Sequence, residues 1–169
     1  MTAAPRLDSG HWLYAIDPQR LDPHERARLI WLAIQSLEAE AFRKRDLMEK
    51  PDQVKTWLRL RFGRRQDETF GMLFLDAKHN LIERSDLFRG TVDGCAVHLR
   101  VLVRRALEVN AAAAIAYHNH PSGDPQPSRQ DRTITDKIRQ ALALIDVRLL
   151  DHIVVASKGA VSMAEQGLL

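Results

Sequence analysis

Three apolar stretches constrain this chain more than any other feature: residues 69–77, 112–117 and 149–156. The first is nearly continuous and lacks the period-two alternation of a half-exposed strand. It therefore reads as a strand buried on both faces. Between the stretches lie segments with helical spacing. Leu99, Leu102, Val103, Ala106 and Leu107 form one stripe, and Ile134, Ile138, Ala141, Leu142 and Ile145 another. Strands interleaved with helices predict an α/β sheet covered on both faces. Lys78, His79 and Asn80 read as a hairpin turn, with residues 81–88 as the return strand. Lys158 and Gly159 read as a turn into a short final strand.

Residues 1–21 carry no strong period and read as a lead-in. Asp22 is a good N-cap, Pro23 suits the first helical position, and Glu25 completes a capping box. Leu29, Ile30, Ala33, Ile34, Leu37 and Ala41 then recur at helical spacing. The pattern fades near Met48, and Pro51 stops it. A shorter helix from Asp52 carries Val54, Trp57, Leu58 and Phe62 on one face. The chain thus divides into an N-terminal helical extension, 1–51, and a second unit, 52–169.

A length of 169 residues fits one compact domain with a small appendage, and 45% apolar residues exclude a disordered chain. The single cysteine, Cys95, permits no internal disulfide. No apolar run has the length of a membrane span, and the first residues lack the features of a signal peptide. A soluble, cytoplasmic protein with no membrane partner is expected. Net charge is +3, but residues 55–65 hold Lys55, Arg59, Arg61, Arg64 and Arg65 without an acid. The cluster reads as a solvated helix end and turn, with weak nucleic-acid binding as the alternative.

The segment HNHPSGDPQPSRQD, residues 118–131, carries the chemistry. Alternate residues of a strand share a face, so His118 and His120 can reach one ion. Pro121 and a loop turn the chain back to a helix whose first turn holds Asp131. Two imidazoles and one carboxylate suit zinc and leave a fourth position open, the catalytic arrangement. A strand end with two exposed histidines, and an aspartate favoured by the helix dipole, is the other reading of the same residues.

His-x-His, seven residues, Ser, two residues, Asp resembles the JAMM pattern of the JAB1/MPN metalloproteases. HNHPSGDPQPS, preceded by LFRGTVDG and followed by LLDHIVV, resembles the RadC branch across about residues 52–169. The resemblance implies a cytidine-deaminase-like (JAB/MPN) mixed sheet flanked by helices. It also implies a glutamate at the start of a core strand as general acid and base. Glu68 takes that place, with Glu83 as the nearest competitor. Ser128 fills the serine position, where it can cap the helix and donate to a developing oxyanion. His152 follows Asp151 as in the family's Asp-His pair, and reads first as a satisfied core histidine. His79 and His98 read as solvated, and Cys95 as uninvolved. Full-length RadC proteins usually carry an N-terminal helix-hairpin-helix region, for which residues 1–51 show no signature.

Two functions follow as expectations. The first is a zinc-dependent hydrolase, a metallopeptidase or isopeptidase acting on a peptide or protein. The second is a nucleic-acid-associated factor linked to DNA repair or mobile elements, with the metal site not used for proteolysis. A zinc deaminase would need His-x-Glu with Pro-Cys-x-x-Cys, which one cysteine excludes. The loops that would choose a substrate, residues 89–96 and 122–126, carry no recognisable specificity code.

Overall fold

In the computed structural model, which describes residues 16–17, 19–43, 51–90 and 97–169, the apolar stretches form the middle of a five-stranded sheet. Strands β1 (Thr69–Leu75), β2 (Leu81–Arg89), β3 (Ala113–Asn119), β4 (Arg148–Ala156) and β5 (Gly159–Ser162) lie in the order β2-β1-β3-β4-β5. β3 and β4 run parallel, and the other neighbours run antiparallel. Every residue of β1 and β3 is buried, as their largely apolar runs require, and Thr69, His118 and Asn119 are buried with them. β2 forms one edge and is only partly covered.

Helices α1 (Pro23–Arg43) and α2 (Pro51–Phe62) lie on one side of the sheet, α3 (Leu99–Glu108) and α4 (Arg129–Ala143) on the other. The strand period of two sorts the side chains between them. Leu73, Leu75, Ile115, Tyr117, Ile153 and Val155 meet Trp57, Leu58 and Phe62 of α2. Phe70, Met72, Phe74, Ala114 and Ala116 meet Leu102 and Ala106 of α3 and Ile138 and Leu142 of α4. Each such large side chain contributes about 1.5–3 kcal/mol on burial. His118 and His120 share the parity of Ala114 and Ala116, so they fall on the α3/α4 side.

The α1 capping box forms as its sequence predicts. Asp22 Oδ1 accepts from the backbone N–H of His24 (2.7 Å) and Glu25 (2.9 Å), and Glu25 Oε2 accepts from Asp22 N (3.0 Å). The predicted apolar stripe faces the core, with Ile34 buried and Ile30 and Leu37 packed against it. Trp31 and Leu32, which lie outside the stripe, turn outward, and of its described members only Ala33 is exposed. Helical periodicity says which residues share a face, not how much of that face a neighbour covers. The side chain of Ala41, the region near Met48, and Cys95 lie outside the described residues. No helix among the described residues is long and apolar enough to cross a membrane.

The β1–β2 turn closes on Asp76, whose Oδ1 accepts from the N–H of Lys78 and Asn80, both at 2.8 Å. His79 takes φ 61°, a left-handed conformation common in tight turns. Farther back along β1, Gly71 pairs with Tyr117, whose ring crosses over the glycine to reach Asp86 Oδ1 at 2.5 Å. A Cβ on Gly71 would stand 2.3 Å from that ring and 2.6 Å from Ser85 O. Gly71→Ala is therefore expected to destabilise the fold by about 1–3 kcal/mol, as overpacking does. A denaturant midpoint equal to the parent's would show that Tyr117 can move aside without cost.

The parallel pair is joined through α4. That crossover brings the N-terminus of α4 to the carboxyl ends of β3 and β4, where open α/β sheets place their ligand sites.

Candidate metal centre

β3 carries His118 to the end of the sheet, and the parallel ladder continues one step further, with His120 N–H donating to Val155 O at 2.8 Å. A turn through Gly123 (φ 89°) then reverses the chain. Ser128 caps α4, its Oγ accepting from Asp131 N at 3.1 Å, while Asp131 Oδ2 accepts from Ser128 N at 2.6 Å. This capping box fixes the Asp131 carboxylate in the first turn, facing the histidines.

Ligand-capable atoms of His118, His120 and Asp131 all lie within 4.8 Å of one another. His118 Nε2 is 2.9 Å from His120 Nε2 and 3.2 Å from Asp131 Oδ1, and His120 Nε2 is 3.4 Å from Asp131 Oδ2. Donors about 2.0–2.1 Å from a tetrahedral zinc stand about 3.3 Å apart, so these spacings suit one such ion. His120 Nδ1 lies 2.8 Å from Asp124 O, which can only accept. His120 therefore donates from Nδ1, and in the neutral ring this leaves Nε2 as the lone pair facing inward.

Electrostatics couple the same groups. The Asp131 carboxylate beside it raises the His120 pKa, against an opposing effect of burial, and the charge of Glu68 adds to the rise. Burial would raise Asp131, but the His118 and His120 rings beside it outweigh that effect and hold the carboxylate well below its usual range.

Glu68 is half-buried just before β1 and lines a cleft of about 230 Å³ with His120, Ser128 and Asp131. Phe70, Val97 and Ile134 supply its apolar wall. Three hydrogen bonds to the backbone of residues 67–69 hold Glu68 in place. Gly90 N donates to Glu68 O at 2.8 Å, and Asn119 brackets the glutamate, its Oδ1 accepting from Thr69 N (2.8 Å) and its Nδ2 donating to Asp67 O (3.1 Å). Asn119 was not singled out by the sequence. The signal was present, since the middle residue of His-Asn-His must point to the face opposite the two imidazoles.

Glu83 lies elsewhere. It pairs with Phe74, four residues along β1 from the Phe70 that pairs with His118, or about 13 Å away at strand spacing. Its carboxylate is engaged by Arg105 (Nε–Oε1 2.9 Å) and Ser85, and the Arg105 hydrogen bond lowers its pKa.

His152 is a satisfied core residue, and one of its two partners is His118. It is fully buried, with Nε2 2.8 Å from His118 Nδ1 and Nδ1 2.6 Å from Thr135 Oγ1. Burial pushes its pKa well below the usual value. Neighbouring Asp151 has a structural task, accepting from Ser162 Oγ (2.6 Å) and from the N–H of His152 and Ala164. His98 is exposed against the edge of Phe88, whereas His79 is partly covered and meets Arg148 Nη2 at 3.0 Å.

The basic segment is largely engaged within the fold. Lys55 bonds Asp52 and Glu165, and Arg65 lies over the Phe62 ring and reaches Thr69 Oγ1. Arg61 also lies over Phe62 and is partly covered, while Arg59 and Arg64 are exposed. A larger groove of about 580 Å³ between α1 and α2 is lined by Ile30, Trp31, Leu60 and arginines, without a His, Cys, Asp or Glu. It has no group able to act as a base. Of the specificity loops, residues 91–96 lie outside the described residues.

A mixed sheet with helices on both faces, carrying His-x-His at the end of a core strand and an aspartate in the next helix, is the JAB/MPN kind of α/β domain. The RadC-like JAB domain family matches residues 48–168, and the chain belongs to that family. It is 48% identical over 152 residues to a UPF0758 protein of Polaromonas sp. (strain JS666 / ATCC BAA-500), covering 88% of this chain and 67% of the relative. It is 49% identical over 131 residues to a UPF0758 protein of Variovorax paradoxus (strain S110), covering 78% and 58%. A UPF0758 protein of Leptothrix cholodnii (strain ATCC 51168 / LMG 8142 / SP-6) is 51% identical over 126 residues, covering 75% and 57%. The chain thus spans 57–67% of the length of these three relatives.

Proposed function

We propose that the chain is a zinc-dependent hydrolase of JAMM type, cleaving a peptide or isopeptide bond in a peptide or protein substrate. The observation that carries this reading is the convergence of two imidazole Nε2 atoms, 2.9 Å apart, on one carboxylate beside a cleft that holds a glutamate. With both neutral rings protonated at Nδ1, the two Nε2 lone pairs would repel at that distance unless they share a cation. His118, His120 and Asp131 would hold the ion, and zinc bound there supplies Lewis-acid polarisation of a carbonyl and a lowered pKa for water.

The residues of the chain divide the remaining work. Glu68 takes the proton of the attacking water and delivers it to the leaving amine. Ser128 Oγ accepts from Asp131 N, which leaves its own proton free to be donated to the developing oxyanion. Phe70, Val97 and Ile134 keep one wall of the cleft apolar, which strengthens each charge interaction inside it. A peptide-cleavage screen run with zinc and with a chelator tests the reading. Cleavage that requires zinc supports it, and cleavage that survives full chelation contradicts it.

Any nucleic-acid contact through the basic segment is, on this account, weak and non-specific. With Arg59 and Arg64 outward, about two phosphates are neutralised, so log affinity against log salt should have a slope no steeper than about −2. A slope of about −4 or steeper, with sequence preference, would favour the nucleic-acid-associated reading instead.

A further inference from the structure

Behind His118, away from the cleft, runs a closed chain of hydrogen bonds. His118 Nδ1 meets His152 Nε2 at 2.8 Å, His152 Nδ1 meets Thr135 Oγ1 at 2.6 Å, and Thr135 Oγ1 meets Asp131 O at 2.6 Å. The chain begins at one candidate ligand and ends on the backbone carbonyl of another. We propose that Thr135 and His152 are positioning residues that together fix His118 as the Nδ1–H tautomer and aim its Nε2 lone pair at the ion.

The direction of the chain follows from its last member. A carbonyl oxygen can only accept, so the single Thr135 hydroxyl proton points to Asp131 O. The other neighbour of the hydroxyl, Met163 Sδ at 3.6 Å, also carries no proton. Thr135 Oγ1 is therefore left to accept, and His152 must supply Nδ1–H. Fully buried His152 is costly to charge, so one proton on the ring leaves Nε2 bare. Bare Nε2 must accept, and His118 must donate from Nδ1. What remains on His118 Nε2 is the lone pair.

Reversing the chain would disable the site. Thr135 would donate to His152, its lone pair would face Asp131 O at 2.6 Å, and His152 Nε2–H would donate to His118 Nδ1. His118 would then carry a proton on Nε2, pointing at Asp131 and blocking the ion. His120 reaches the same inward-facing state by a shorter route, through Asp124 O. The two imidazoles are thus set by backbone carbonyls, one directly and one through two intermediaries.

This inference rests on the proposed metal reading, but its core is testable without metal. Long-range ¹H–¹⁵N correlation of the imidazoles in zinc-free protein should show His152 protonated at Nδ1 and bare at Nε2. Thr135→Val keeps shape and removes the hydroxyl. It is expected to lower zinc affinity, measured by chelator competition, about 10–100-fold, the usual effect of losing an outer partner. Thr135→Ser should restore affinity, which recovery of packing alone would not do. A His152 ring protonated at Nε2 overturns the proposal, and so does a Thr135→Val variant with the parent's zinc affinity. If the parent itself binds no zinc, the hydrolase reading fails, and the His152 tautomer still decides the relay.

Discussion

Replacing His120 with alanine is expected to abolish zinc retention and leave the fold intact. The side chain is 18% exposed, and the backbone N–H that carries it into the ladder stays bonded to Val155 O. The loss should exceed the about 10–100-fold penalty for an outer partner, because two donors cannot close the shell. Thermal unfolding gives the clearest contrast. Zinc at about 1,000 times its Kd stabilises a single-site protein by about 4 kcal/mol. For a chain of this size that is a rise in Tm of about 8–16 °C. His120→Ala should show no rise, while its zinc-free Tm stays within about 2–4 °C of the parent's. A variant that still gains the parent's increment would place the ion elsewhere.

Glu68→Gln is expected to have the largest effect on turnover. Glutamine keeps the size of the side chain and the backbone contacts through Gly90 and Asn119, since those engage main-chain atoms. What it loses is the group that can take and return a proton. Zinc-dependent cleavage should fall by roughly 10²–10⁴-fold, with zinc content unchanged. Glu83→Gln made in parallel should leave cleavage nearly intact, because Glu83 is held by Arg105 at the far end of β1. An active Glu68→Gln beside a dead Glu83→Gln would put the base on the other strand.

What the sequence revealed, and what it did not, divides along physical lines. Strands β1, β3 and β4 were legible because burial on both faces leaves a mostly apolar run, interrupted in β4 by Asp151 and His152. α4 was legible from Ser128 and Asp131, since a capping box is local chemistry with a fixed spacing. The face of α1 was legible, since periodicity left Trp31 and Leu32 outside the stripe, but the exposure of Ala33 was not, because only a neighbour decides how wide a face is covered. At the site, His118 and His120 could be put on one face by strand periodicity alone. Glu68, fifty residues earlier, came to the reading only through resemblance, since its approach depends on the β1–β3 pairing and on Asn119. Thr135 sits one helical turn after Asp131, yet among Ile134 and Ile138 it passes for an incidental polar residue. Its partner His152 lies on β4, beyond the end of the helix, so no helical or strand period joins them.

The central claim is that one zinc ion sits between β3 and the first turn of α4. Anomalous diffraction at the zinc edge, from crystals grown with one equivalent of zinc, addresses it most directly. The account predicts a single strong peak, about 2.0–2.2 Å from His118 Nε2, His120 Nε2 and a carboxylate oxygen of Asp131. No peak at that position, or a peak bound by other residues, would contradict it.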